Sequence, residues 1–341
     1  MRTISKATPD AIAVCVAAFL VGGCGGPAAQ NALPSPTQQN VTRGAPRADG
    51  ARRETSGSWM LPEAKHEDLI YVTNTDTNSV GVYAYKSRKL VGTLANIKEP
   101  YGTCSDASGN VWIIGWGKGQ IFEFPHAVVK PVRVLDVEDS ADPYDCSVDP
   151  TTGNLAITDW GYNWLKGEVL IFRNGSDEPE EVTGPSIWFY YGCTYDEKGN
   201  LYADGWDAYL GDVFALGELP KGGKEFKNIV MPPLFKPPYL GGIRWDGKYV
   251  AIGNTGALWK YAVSGNRATF AGYTALTSRW PMGFFWIRTF GSGERSVIAP
   301  DHAGNPTAVQ YWRYPAGGHP MGTITRGLHE PFGVTFSVAG R

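Results

Sequence analysis

The chain has 341 residues, with 31 Lys and Arg against 33 Asp and Glu and a formal net charge of -2. That balance excludes a broad field for steering nucleic acid or anionic lipid, so no nucleic-acid partner is expected. The 43 Gly and 24 Pro suit many tight turns between short strands, and 12 Trp, 17 Tyr and 14 Phe supply bulky side chains for sheet faces.

The chain opens with Arg2 and Lys6, an apolar run from Ala11 to Val21 too short to span a bilayer, and Gly22-Gly23-Cys24. This pattern predicts an export leader over residues 1–23. Its ending resembles the lipobox of bacterial lipoproteins, although Val21 stands where that family usually has Leu. The resemblance implies acylation of Cys24 and membrane contact through the lipid anchor alone, in the cell envelope facing periplasm or exterior. An ordinary cleaved signal would instead give a secreted protein. Residues 24–58, rich in Gly, Pro, Ala and Gln, read as a flexible tether to a folded part over 59–341.

Once Cys15 leaves with the leader and Cys24 is acylated, Cys104, Cys146 and Cys193 remain, and an odd number leaves at least one free thiol. Cys146 and Cys193 fall on equivalent positions of neighbouring repeats. They are expected to fill core rather than to form a disulfide or bind metal.

The first folded segment, Asp68 to Leu94, supplies three strands. From there a unit recurs: Pro, an aromatic, a small residue, a strand ending in Asp, a Gly-Asn turn and a second strand, often followed by Trp. Its copies begin at Pro100, Pro143 and Tyr190, with weaker ones at Pro238, Pro281 and Pro331. Taking Thr103, Cys146, Cys193, Ile243, Phe284 and Val334 as equivalent gives spacings of 43, 47, 50, 41 and 50 residues. The first segment lacks an opening strand, and Pro331 to Ser337 is an opening strand without successors. The two ends therefore complete one sheet and close a ring, which predicts an all-β, six-bladed β-propeller without exposed sheet edges. The segment from Met231 to Pro238 has too few backbone donors for a central strand and reads as a loop.

Ile70-Tyr-Val-Thr-Asn74, Asn78-Ser-Val-Gly-Val-Tyr83 and Val91-Gly-Thr-Leu94 resemble the YVTN-type propeller repeat. The later Asp-x-x-Gly-Asn-Leu-Tyr units are similar to NHL-type repeats. This resemblance covers residues 68 to 338 and implies the fold rather than a chemistry.

In such a ring the connections between second and third strands share a face with those entering each first strand. The second strands are read as ending at Asn74, Trp116, Trp160, Trp206, Asn254 and Asp301, which divides the ring into an aromatic arc and a polar arc. Trp116, Trp160 and Trp206, with Tyr101, Tyr144, Tyr190 or Tyr191, Tyr239 and Phe332 on the same face, offer stacking surfaces for a sugar or an apolar group. The competing reading is that these rings pack between blades. On the polar arc, His302, His329 and Glu330 are candidate acid–base residues, and Asn74, Asn254 and Asp301 are candidate ligands of Ca or Mg. Asp106, Asp149, Asp196 and Asp246 read as turn residues on the opposite face.

Two functions follow. The preferred one is a monomeric, lipid-anchored scaffold that binds a glycan, small molecule or envelope protein without a cofactor. The alternative is a divalent-cation enzyme similar to streptogramin lyases or gluconolactonases.

Overall fold

The computed structural model describes residues 57–340 apart from 138–141, 162–164, 208–212, 234–239, 255, 278–282, 291 and 302–306. Cys24, Tyr239 and His302 lie outside the described residues. Six antiparallel sheets make the six blades. From the axis outward, blade 2 runs Pro100–Ser105, Val111–Gly115, Gln120–Phe124 and Arg133–Asp136. Blade 3 runs Pro143–Val148, Leu155–Asp159, Glu168–Phe172 and Pro179–Val182, and blade 4 runs Phe189–Tyr195, Leu201–Asp207, Val213–Leu219 and Lys227–Ile229. Blade 5 comprises Ile243–Trp245, Val250–Asn254, Ala257–Ser264 and Arg267–Ala275, and blade 6 comprises Trp286–Thr289, Arg295–Asp301, Ala308–Arg313 and Gly317–Ile324.

Blade 1 joins the two ends of the ring. Its inner strand Pro331–Ser337 pairs with Leu69–Asn74, placing Leu69 opposite Ser337 and Val72 opposite Val334. Ser79–Ala84 and Leu90–Ala95 follow, and the short strand Trp59–Met60 adds to the outer edge, an addition the repeat does not predict.

The second strands are buried at every position in blades 1, 2, 3 and 5, because each is sandwiched between two neighbouring blades. This is why they read as unbroken apolar runs instead of alternating ones. Successive residues then serve opposite seams: Tyr71 packs toward blade 2 with Val111 and Ile113, whereas Ile70 and Val72 pack toward blade 6 with Ile298 and Val309. Burial of one such side chain stabilises the fold by about 1.5–3 kcal/mol. Among the described residues, each of the six seams has its own apolar cluster.

One seam is also covalent. Cys104 of blade 2 is bonded to Cys146 of blade 3, with Cα atoms 5.6 Å apart, and among the described residues Cys193 is the free cysteine, which is buried. Cys146 is therefore not a simple core filler. The aligned pair Cys146 and Cys193 lies on two different seams, whereas Cys104, one residue past the aligned Thr103, points to the seam that Cys146 faces.

On the face away from the channel mouth, the four turn aspartates bond local amides as the sequence suggests. Asp106 accepts from the amides of Ser108 and Asn110, and Asp196 from those of Lys198 and Asn200. Asp149 and Asp246 hold the amides of Thr151 and Lys248 in the same way.

Candidate binding site at the channel mouth

The repeated Pro-aromatic-small triplet encodes a β-bulge. In blade 2 the pairing jumps from Pro100 opposite Gly115 to Thr103 opposite Ile113, and in blade 3 from Pro143 opposite Asp159 to Cys146 opposite Ile157. Blade 1 repeats this between Pro331 and Val334, and blade 4 between Tyr190 and Gly192. Two inner-strand residues thus face one on the second strand, which re-aims the aromatic side chain. Those aromatics are Tyr101, Tyr144, Tyr191 and Phe332, and blade 4 supplies Tyr191 rather than Tyr190, whose ring packs on Phe226 in the seam. The small residue is required by close approach: a Cβ on Gly102 would fall on the carbonyl oxygen of Tyr144, and one on Gly333 on that of Tyr101.

The four rings join Phe284 of blade 6 in a closed collar. Going round, the centroids are 4.6 Å apart for Phe332 and Tyr101, 5.2 Å for Tyr101 and Tyr144, and 5.4 Å for Tyr144 and Tyr191. Tyr191 and Phe284 are 5.2 Å apart, and Phe284 and Phe332 close the circuit at 5.5 Å. Phe284 was missed as a site residue because it aligns with Thr103, two positions after the other aromatics. Blade 5 carries Gly241 where they carry an aromatic, and Gly242 runs against Phe284.

The tryptophans surround this collar. Trp116 lies 5.3 Å from Tyr101 and Trp160 lies 5.5 Å from Tyr144, while Trp160 also stacks on Phe189 and meets Trp206 edge to face at 5.8 Å. All three tryptophans are half-buried, as are Tyr101, Tyr191 and Phe332. Packing and exposure therefore coexist: each ring leans on a neighbour and leaves part of its surface open.

The division into aromatic and polar arcs needs one correction of register. The residues opposite the opening prolines are Asn74, Gly115 and Asp159, so Trp116 and Trp160 are equivalent to Thr75 rather than to Asn74. The hydrogen bonds agree, since the amides of Thr75, Trp116 and Trp160 donate to the carbonyls of Glu330, Glu99 and Asp142. Three consecutive blades thus place an acidic residue immediately before the collar strand. Glu99 and Glu330 hold left-handed backbone, with φ of 47° and 50°, a conformation uncommon outside Gly and Asn. Burial pushes the Tyr101 hydroxyl up to about 12, and the negative charges of Glu99, Glu330 and Asp142 add to that shift.

The proposed polar-arc residues are less convergent. Asn74 is buried with both ends of its amide engaged, donating to the Gly327 carbonyl at 3.3 Å and accepting from the His329 amide at 3.0 Å. It pins the segment that leads into the closing strand. His329 and Glu330 are exposed, and Asn254 and Asp301 are buried at the ends of their strands.

Beneath the collar lies a buried polar cluster that the sequence did not single out. Asp145 occupies the position where blades 2, 4 and 6 and the closing strand have Gly, and it is 0% exposed. The Arg244 guanidinium of blade 5, 6% exposed, grips it at 2.7 and 3.1 Å and also donates to the Cys193 and Ile243 carbonyls. Burial raises the Asp145 carboxyl above its ordinary value, against the pull of the Arg244 guanidinium, while the Asp145 charge raises Arg244 in turn. Asp204 of blade 4 is also 0% exposed. Its Oδ1 accepts from the Gly192 amide at 2.9 Å, and its Oδ2 has no hydrogen-bond partner. Burial, reinforced by the Asp145 charge, raises its pKa well above the usual carboxylate range. Burial likewise raises the Cys193 thiol, which makes it a poor nucleophile.

No family model matches the chain, and no curated protein matches it. Solved structures do share the fold. One is a nidogen/laminin complex, with TM-score 0.61 and 12% identity over 80% of this chain and 100% of that one. Another is Kuenenia stuttgartiensis hydrazine synthase, with TM-score 0.59 and 12% identity over 86% and 94%. A third is the β-propeller domain of Myceliophteria thermophila Cps50, with TM-score 0.53 and 10% identity over 83% and 90%. At these identities the likeness carries the fold alone.

Proposed function

We propose that the protein is an extracytoplasmic, lipid-anchored receptor or scaffold that seats its ligand on the aromatic mouth of the propeller. The observation that carries this reading is the incomplete burial of Trp116, Trp160 and Trp206 around a collar whose rings Tyr101, Tyr191 and Phe332 are also only partly buried. A purely structural set of aromatics would gain by complete burial, whereas these keep part of their surface accessible, grouped at one end of the axis. The leader over residues 1–23, with Cys24 after it, supports export. The Cys104–Cys146 bond fits the same compartment, since disulfides persist where thiols oxidise.

Glycan-array and envelope pull-down experiments with Trp116→Ala, Trp160→Ala and Trp206→Ala test the binding half. Captured ligand should be reduced in each variant, and retention by all three would refute the reading. For the anchor, metabolic labelling with an alkyne fatty acid should tag the wild type and not Cys24→Ser. Equal labelling of both proteins would refute acylation at that position.

A further inference from the structure

Two seams of the ring carry the same row of residues and are closed differently. Across blade 2, Cys104, Trp112, Glu123 and Arg133 stand side by side on neighbouring strands, on the face that packs against blade 3. Across blade 4 the same places hold Thr194, Tyr202, Glu218 and Lys227. The register makes the rows equivalent, since Trp112 and Tyr202 each lie three residues before the glycine, Gly115 or Gly205, that pairs near the start of the inner strand. The next blade meets the row with Val148, Leu155 and Phe172 in one case and with Trp245, Val250 and Tyr261 in the other.

Between blades 4 and 5 the protein satisfies this row itself. The Tyr202 hydroxyl donates to Glu218 Oε1 at 3.4 Å, and the Trp245 ring stacks on Tyr202 with centroids 6.0 Å apart and planes 9° from parallel. Between blades 2 and 3 neither contact is made. Trp112 has no hydroxyl to offer, and among the described residues no hydrogen bond or ion pair reaches the Glu123 carboxylate. With Val148 where blade 5 has Trp245, a cleft of about 230 Å³ remains, bounded by Trp112, Glu123, Val148, Leu155 and Phe172 on the face away from the mouth. The two arginines at its rim are already paired, Arg133 with Asp177 at 2.7 Å and Arg173 with Glu180 at 2.6 Å. Arg133 comes to 5.9 Å from the Trp112 centroid, near the limit for such a contact, and Trp112 still lines the cleft. Burial pushes the Glu123 carboxyl up, the Arg133 charge opposes this and the Asp106 charge adds to it. A carboxylate desolvated in this way gains from a donor placed beside it.

We infer that this cleft binds a small, flat aromatic molecule bearing an N–H or O–H donor. Its ring lies against Trp112 as the Trp245 ring lies against Tyr202, and its donor gives Glu123 the bond that Tyr202 gives Glu218. The size agrees. An apolar cavity of about 150 Å³ holds benzene, and pockets for drug-sized ligands begin near about 300 Å³, so the cleft suits one ring or a fused pair. The site is separate from the mouth and does not depend on the reading of the mouth as a receptor.

The test titrates the full chain with indole and with 1-methylindole, which keeps the ring and removes the donor, by calorimetry and saturation-transfer NMR. Indole should bind saturably and 1-methylindole about tenfold more weakly, as expected for loss of a hydrogen bond to a charged acceptor. Val148→Trp supplies the missing ring from blade 3 and should abolish indole binding. Glu123→Leu should weaken indole about tenfold and erase its advantage over 1-methylindole, with thermal melts checking that each variant is folded. No binding of indole, or equal affinity for the two ligands, overturns the inference. So does indole binding that a folded Val148→Trp retains, or a preference for indole that a folded Glu123→Leu retains. Should Val148→Trp not fold, Glu123→Leu alone decides.

Discussion

Blade 3 is held on its two sides by different chemistry at equivalent positions. Toward blade 2 its aligned residue Cys146 is bonded to Cys104. Toward blade 4 the residues in the same register are Ser147 and Cys193. There the contact is a hydrogen bond from the Tyr195 amide to Ser147 Oγ at 3.0 Å. On that side the Asp145–Arg244 pair adds a clasp that spans from blade 3 to blade 5. One seam is secured mainly against the unfolded chain, since a cross-link acts by restricting that ensemble. The other depends on a native-state charge pair, and its weak point is the loss of either partner.

The largest expected effect comes from breaking the charge pair. Asp145→Ala leaves the Arg244 guanidinium buried without its partner and should cost about 3–5 kcal/mol in urea unfolding. Replacing both, with Asp145→Leu and Arg244→Met, should recover most of that loss. A double variant as unstable as the single one would show that the charges themselves hold the sector.

Next comes the covalent seam. Cys104 and Cys146 are 42 residues apart, and a loop of that length predicts a loss of about 3–4 kcal/mol when both become Ser. The equivalence of the two seams is sharpened by Ser147→Cys, which should oxidise with Cys193 and abolish the free thiol counted under denaturing conditions. The net gain should be smaller, about 2 kcal/mol, because the Tyr195 amide loses its Ser147 acceptor. A persistent pair of thiols would show that the two seams differ in geometry.

The contrast also explains what was legible in the sequence. Six blades and ring closure follow from the spacing of Thr103, Cys146, Cys193 and their equivalents, because a repeat records strand order directly. The disulfide did not follow, since alignment brings like positions together and a seam joins unlike ones: Cys104 is the residue after an aligned position and Cys146 is an aligned position. The collar was half-visible. Pro-Tyr-Gly and Pro-Phe-Gly announced aromatics near the mouth, but only the two-for-one pairing of a bulge shows that they turn toward the axis, and Phe284 arrives there from another register. Arg244 and Asp145 were hidden because their contact crosses blades, 99 residues apart in the chain.

The smallest effect concerns a third seam, where blades 1 and 2 meet. His126 of blade 2 bonds through Nδ1 to Ser337 Oγ of the closing strand at 2.7 Å, and the Ser337 hydroxyl also reaches the Gly109 carbonyl. Burial lowers the His126 pKa, against backbone hydrogen bonds to Ala64 and Glu67 and the charge of Asp68, which raise it. The native state therefore binds less proton than the unfolded chain, whose histidine titrates near about 6.5. Stability from this group is complete above that pH and declines as the pH falls from about 6.5 to the lower folded value. Asp68 acts in a separate window. Burial would raise its carboxyl, but the Arg288 guanidinium at 2.7 Å and the Ala339 amide bring it below the usual value, so its contribution is lost only in more acidic solution. Thermal melts across pH should show a shallow loss of stability as the pH falls below about 6.5 that disappears in His126→Asn, while the disulfide-free variant keeps it. A step that survives His126→Asn would assign the pH response to another group, since the seam keeps its other cross-blade bonds, such as those from Thr73 to the Tyr101 carbonyl and from Ser105 to the Phe336 carbonyl.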